Sequence, residues 1–140
     1  DLIKQAQASE FGDRIVFTGA VADMQAFYRA CNVCCIASES ESFGRTAVEA
    51  FASRTPLVST TSGGLNDIVN HDVNSLAVDF GSAAQLSRAV VKILEDGSLA
   101  ACLTKAAFEE ANELYSQAKC AQSVTSVIRD VAVASGSHAA

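Results

Sequence analysis

The sequence has no tryptophan, one proline and two histidines, and aromatic residues make up only 6% of its 140 positions. It also lacks any long apolar run. The longest are a few residues, such as Val33 to Ala37, far short of the roughly 20 that carry a helix across a bilayer. No basic segment followed by an apolar stretch opens the chain, so no secretory signal is read. Basic residues are outnumbered 10 to 16, for a net charge of −6, and they form no run. That balance leaves no electrostatic footprint for nucleic acid or an anionic membrane. Charged residues reach only 19% against 49% apolar, which argues against disorder. The expectation is one domain, large enough to bury a real core.

A complete zinc-site pattern is missing too. Five cysteines stand at Cys31, Cys34, Cys35, Cys102 and Cys120. Cys31-Asn32-Val33-Cys34 has the spacing of a redox or zinc knuckle, but a structural zinc site needs four ligands. No second cysteine or histidine pair follows, and His71 and His138 are isolated. The cysteines are therefore read as small buried hydrophobes in a reducing compartment, binding no metal.

What is present is an alternation of strand and helix signals. Leu2 to Gln7 reads as the last turns of a helix without an N-cap, so a fragment lacking upstream elements is expected. Arg14 to Gly19 reads as a short strand ending in a glycine turn. Asp23 caps a helix through Tyr28 and Ala30, with Met24, Phe27 and Tyr28 on its apolar side. Asn32 to Ala37 is apolar without alternation, as in a strand covered on both faces. Gly44 to Ser53 reads as a helix. Thr55 to Thr60 reads as a strand, with Pro56 where a missing N–H is tolerated.

Ser62-Gly63-Gly64 breaks the chain before a short helix from Asn66 to Asn70. Ser75 to Val78 is a fourth strand. Gly81-Ser82 and Gly97-Ser98 cap the next two helices. Ser116 caps a last helix, with Cys120, Val124, Val127, Ile128 and Val131 as its apolar stripe. Residues 135–140 are read as a disordered tail behind one domain of residues 1–134. The pattern predicts an α/β fold, a doubly wound parallel sheet with helices on both faces. The functional crevice of such a sheet lies outside the carboxyl ends of its strands. Three loops fall there: Thr18 to Val21, Ser38 to Gly44, and Thr60 to Gly64.

The middle loop carries the strongest chemistry. In Glu41-Ser42-Phe43-Gly44-Arg45-Thr46-Ala47-Val48-Glu49, two glutamates are separated by seven residues. A helix starting near Gly44 leaves its first N–H groups unpaired and suited to an anion such as a phosphate. Gly44 would let a ligand approach the backbone closely. Glu49, more than a turn inside the helix, can accept two hydrogen bonds from a vicinal diol such as ribose. Glu41, ahead of the helix, can accept from a second polyol. Together they describe a phosphate flanked by two hydroxylated rings, a nucleotide sugar. Ser62-Gly63-Gly64 precedes a further helix start able to present backbone donors. A single glutamate near a helix start is commonly plain dipole complement, so the combination carries the reading.

These residues resemble the C-terminal domain of retaining GT-B glycosyltransferases of the group 1, or family 4, type. The family pattern V-x-F-x-G is approximated by Ile15-Val16-Phe17-Thr18-Gly19, and Y-x-x-A-D by Tyr28-Arg29-Ala30-Cys31-Asn32. P-S-x-x-E-x-F-G is matched by Ala37-Ser38-Glu39-Ser40-Glu41-Ser42-Phe43-Gly44, and the following L-E-A by Val48-Glu49-Ala50. Thr55-Pro56-Leu57-Val58 and Gly63-Gly64-Leu65-Asn66-Asp67-Ile68-Val69 complete the order. Departures are Ala37 for proline, Asn32 for aspartate, Arg54 for glycine and Asp67 for glutamate.

The resemblance implies a hexosyltransferase that moves a sugar from a nucleotide-sugar donor to an unknown acceptor with retention and without a metal or other cofactor. It implies that Glu41 is catalytic, against the transferred sugar, and that Glu49 binds the ribose. Ser42, Phe43, Gly44, Arg45 and Thr46 would line the sugar and phosphates, Gly19 and Val21 the base, and Gly63 and Gly64 the second loop. It further implies a missing N-terminal acceptor domain, and with it an inactive fragment able to self-associate through a truncated sheet edge. The location would be cytoplasmic, peripheral to the inner face of the membrane. The alternatives are a nucleotide-sugar epimerase on the same fold and a non-catalytic α/β module. An epimerase would need histidines that the key loops do not contain.

Overall fold

The computed structural model describes residues 1–136. Three parallel strands, β1 (Cys34–Ile36), β2 (Leu57–Thr60) and β3 (Leu76–Val78), pair in the order β1-β2-β3. Cys35 lies opposite Val58, and Ser59 opposite Ala77. Among the described residues six helices accompany them: α1 (Leu2–Gln7), α2 (Met24–Ala30), α3 (Arg45–Ala52), α4 (Ala83–Glu95), α5 (Gly97–Leu114) and α6 (Gln117–Gly136). The predicted parallel sheet with helices on both faces is what forms.

The two faces bury different sets of side chains, because alternate strand residues point to opposite sides. On one face Ile36 and Leu57 meet Ala47 and Phe51 of α3, Leu65, Ile68 and Val69 of the following loop, and Ala107 and Ala111 of α5. On the other, Val58, Leu76 and Val78 meet Ile93 of α4 and Leu103 of α5. Phe51, Leu57, Val58 and Leu65 are wholly inaccessible. The central strand β2 is buried at every position, so its polar Ser59 and Thr60 must bond inside. Ser59 donates to the Thr60 carbonyl and Thr60 to that of Ser38, both at 2.8 Å.

Several expectations need correction. Residues 14 to 19 form no strand: a short 3-10 turn (Gly12–Arg14) precedes an unpaired stretch. No described strand lies beside it to satisfy its backbone, and Val16 is 78% exposed. The β1 strand is covered on one face only. Ile36 is buried but Cys35 is exposed, because β1 is the edge of the sheet and α4 packs against β2 and β3. The cysteines are accordingly not a buried set. Cys31 and Cys34 are half-buried, whereas Cys35, Cys102 and Cys120 are exposed, and all five are free thiols. The α6 stripe is exposed as well, with Val124, Val127, Ile128 and Val131 each more than half accessible.

The helix expected at Asn66 to Asn70 is a 3-10 turn, Gly64–Asp67. Asp1 caps α1 by accepting from the Ile3 N–H. The Asp96 carboxylate, not Gly97-Ser98, caps α5 by accepting from the Ser98 and Leu99 amides at 3.0 and 2.9 Å. The α6 helix runs through Gly136, so residues 135 and 136 of the expected tail are helical; the remainder of that tail, 137–140, lies outside the described residues. No helix among the described residues is long and apolar enough to cross a membrane.

Candidate functional site

Parallel strands that share one direction bring their following loops to the same end of the sheet, and the loops after β1 and β2 meet there. Ser38, just past β1, is gripped from the β2 side. Its carbonyl accepts from the hydroxyls of Thr60 at 2.8 Å and Ser62 at 3.2 Å. Its own hydroxyl donates to Glu41 Oε1 at 2.8 Å. Glu41 also bridges in parallel to Gly63, and its carbonyl accepts from the Gly64 amide at 2.6 Å. One carboxylate oxygen is therefore fixed while the other can accept a polyol hydroxyl.

The glycines of the second loop are there because two backbones touch. A Cβ on Gly63 would collide with the Glu41 carbonyl oxygen. One on Gly64 would lie 2.6 Å from the Phe43 Cα and 2.7 Å from the Ser42 carbonyl oxygen. Gly63 and Gly64 are thus a support for the Glu41 loop. Gly44 differs in a similar way from the expectation of an open approach. It is buried, its φ is +89°, and a Cβ would meet Leu65 Cδ2 at 2.7 Å. The left-handed backbone and the contact with Leu65 both require glycine there. Phe43 is half-exposed and rests edge-on against Tyr115, with ring centroids 6.0 Å apart.

From Gly44 the chain enters α3. The first intrahelical bond runs from the Ala47 N–H to the Gly44 carbonyl at 2.9 Å. The amides of Arg45 and Thr46 precede it, as the first N–H groups of a helix do. Glu49 follows one turn later and is held from two sides. Arg45 Nε donates to Oε1 at 2.7 Å, and the Tyr28 hydroxyl donates to Oε2 at 3.3 Å. The two partners are unlike: the Arg45 side chain is 84% exposed, whereas Tyr28 is buried. Burial, reinforced by the Glu49 charge, pushes the Tyr28 phenol up to about 12. The hydroxyl consequently keeps its proton at neutral pH.

Tyr28, Met24 and Gln25 of α2 form with Glu49, Ala52 and Ser53 a mostly apolar groove of about 220 Å³. Glu41 and Glu49 thus flank the start of α3, one fixed to Ser38 and the other to Tyr28 and Arg45. Gly19 and Val21 stand apart on the stretch leading to the Asp23 cap of α2. Gly19 takes φ +61° with open space around it, and Val21 is half-buried. Ser42 and Thr46 are exposed.

Sequence reasoning missed two members of this arrangement, Tyr28 as a partner of Glu49 and Ser38 as a partner of Glu41. Both stood in the matched motifs, but only the fold shows which carboxylate each one meets. No group of three or more histidine, cysteine, aspartate or glutamate side chains able to hold a metal occurs among the described residues.

Comparison with known proteins gives this arrangement its family. Residues 1–110 match the family model for glycosyl transferases group 1. The chain is 36% identical over 110 residues to the D-inositol 3-phosphate glycosyltransferase of Salinispora tropica, covering 76% of this chain and 22% of that protein. It is 30% identical over 118 residues to mannosylfructose-phosphate synthase of Agrobacterium fabrum, covering 83% of this chain and 26% of that one. The chain thus spans about a quarter of the curated relatives it matches.

Among solved structures, sucrose-phosphate synthase of Thermosynechococcus elongatus superposes with a TM-score of 0.89 at 30% identity, covering 95% of this chain and 34% of that one. The Anabaena protein Alr3699/HepE, solved in complex with UDP-glucose, superposes with a TM-score of 0.88 at 25% identity, covering 92% and 36%. This chain shares its fold, the parallel sheet with its flanking helices, with both of these neighbours. The two glutamates stand on that fold at the carboxyl end of its sheet, and the chain belongs to the glycosyl transferases of group 1.

Proposed function

We propose that the chain is the donor-binding part of a retaining hexosyltransferase that moves a sugar from a nucleotide sugar to an acceptor. The observation that carries this reading is the placement of Glu41 and Glu49 on either side of the start of α3. The Arg45 and Thr46 amides face an anion there, as the N-terminus of a helix suits a phosphate. Glu49 accepts the ribose hydroxyls, and Glu41 accepts hydroxyls of the transferred sugar. Alr3699/HepE, which shares the fold, is a protein solved with UDP-glucose bound.

Catalysis in this reading rests on holding the donor and stabilising the leaving diphosphate, with no metal or other cofactor. Around the diphosphate, Arg45 is the basic residue of the key loop, set against Glu39, Glu41 and Glu49. The acceptor is then held by an N-terminal domain of the same enzyme, so residues 1–140 alone carry no transfer activity. The free edge of β1 is where such an isolated chain would pair with a second copy. The enzyme works in the cytoplasm, at the inner face of the membrane.

The test is calorimetric titration of the whole enzyme with UDP-, GDP- and ADP-sugars, comparing wild type with Glu49→Gln. The amide loses the charge and one of its two acceptor arms. Donor binding should weaken by about 1–3 kcal/mol while the unfolding midpoint stays put. Equal affinity of the two proteins for every donor would remove Glu49 from the ribose.

A further inference from the structure

Resting on the donor-site reading above, we propose that Tyr28 is a positioning residue for ribose recognition: its hydroxyl holds Glu49 Oε2 and presents the carboxylate to the diol. Glu49 has two partners of opposite character. Arg45 reaches it across one helical turn from the solvent side, and an exposed pair of this kind is weak and screened. A ligand can therefore take the place of Arg45 at Oε1. Tyr28 cannot be displaced in that way. It is 5% exposed, and its backbone carbonyl accepts from Thr55 Oγ1 at 2.7 Å. Thr55 is itself buried, so Tyr28 is anchored to the turn that leads into β2.

The physical need for such a support follows from the geometry of a carboxylate. A bidentate contact with a vicinal diol requires the plane of the carboxylate to face both hydroxyls. A glutamate has three side-chain torsions, and each one left free costs entropy on binding. The Tyr28–Glu49 bond of 3.3 Å is long for an O–H···O pair, and Arg45 draws the same carboxylate outward at 2.7 Å. Once hydroxyls replace Arg45, the buried phenol remains as the fixed partner. The phenol stays protonated at neutral pH, so it stays a donor to the carboxylate. The groove beside it, lined by Met24, Gln25 and Ala52, offers no second charged group to Glu49.

The experiment is calorimetry on the whole enzyme with UDP, GDP and ADP. The diphosphate that binds tightest is then compared with its 2′,3′-dideoxy form. Wild type, Tyr28→Phe, Glu49→Gln, the double variant and Met24→Ala are titrated with both. Tyr28→Phe should weaken the ribonucleotide about tenfold, the loss of one hydrogen bond to a charged group. It should leave the dideoxynucleotide unchanged, and it should add nothing in the Glu49→Gln background. Met24→Ala, which perturbs the same groove without touching the carboxylate, should leave the ratio of the two affinities alone. Each variant is its own reference, so a partial loss of folded protein cancels in that ratio.

An equal effect of Tyr28→Phe on both nucleotides, or no effect on either, overturns the positioning role and leaves the role of Glu49 standing. If Glu49→Gln itself leaves the ratio unchanged, the ribose reading fails and the positioning role fails with it. Absence of binding by all three diphosphates likewise removes the donor site.

Discussion

Two stretches of similar apolar character meet opposite fates in this chain. In the segment from β1 to the end of α5, Phe51, Leu57 and Leu65 are wholly buried. In the stretch after α1, Ile15, Val16 and Phe17 are 44%, 78% and 51% exposed, and the α6 stripe is open as well. Side-chain type does not explain the difference, since both are rich in valine, isoleucine and phenylalanine. Partners do. The first group is covered by helices packed on the sheet, whereas Ile15, Val16 and Phe17 have no strand of the described residues beside them. Burial of apolar area is a property of pairs of surfaces.

The largest test of this contrast exchanges one residue in each region. Phe51→Ala should cost about 3–5 kcal/mol, because a buried ring leaves a cavity that its neighbours cannot fill. Val16→Ser in residues 1–140 should stay within about 0.5 kcal/mol, as changes at exposed positions do. Denaturant midpoints of the two variants check both. A similar loss at both positions would mean that the exposed stretch is packed in solution.

A second pair sharpens the contrast at glycines. Gly64→Ala pushes a methyl group into the backbone of Phe43 and Ser42, a cost of about 1–3 kcal/mol in overpacking. Gly97, in the first turn of α5, has open space where a Cβ would go. Gly97→Ala should stabilise by about 0.4–1 kcal/mol through the unfolded chain. Because the loop that bends in Gly64→Ala carries Glu41, that variant should also lose donor affinity in the whole enzyme, and Gly97→Ala should not. Thermal unfolding and donor titration of both variants give the answer.

The smallest effect is in alkali and belongs to the packed region alone. Burial raises Cys34 from 9.0 to about 11, and burial together with the Glu49 charge raises Tyr28 from 10.0 to about 12. In each case the unfolded chain releases its proton first. The stability is therefore complete below pH 9 and declines as pH rises through the folded values. The unfolding midpoint should fall over that window, and Cys34→Ser should remove its lower part. At neutral pH the exposed Cys102 should label with iodoacetamide well before the half-buried Cys34. Equal labelling rates would show that β1 opens freely.

Much of the candidate site was legible in the chain because motif order survives any detail of packing. The Glu41–Glu49 spacing, the start of α3 behind Gly44 and the following glycine pair are all local statements, and the helix cap at Asp23 is another. What was misread was consistently non-local. The unpaired stretch at residues 14–19 has the composition of a strand, but a strand exists only with a neighbour for its backbone groups. Cys35 belongs to an apolar run, yet its exposure depends on β1 being an edge. Gly44 was read as leaving room for a ligand beside the backbone, and Leu65 packs there instead.

The sequence by itself determined the α/β alternation, the family and the pair of carboxylates, since these depend on residue type and on spacing along one helix or one turn. Only the tertiary structure decided what each carboxylate touches. Glu41 meets Ser38 because the hydroxyls of Thr60, at the end of β2, and Ser62, just past it, hold the loop after β1. Glu49 meets Tyr28 because α2 packs against α3 and Thr55 anchors its last turn. Ser38 and Glu41 are only three positions apart, but the bonds that set them and Glu49 in place, Thr60 to Ser38 and Tyr28 to Glu49, join residues 22 and 21 positions apart. Their geometry is set by how helices lie on the sheet, which no local preference encodes.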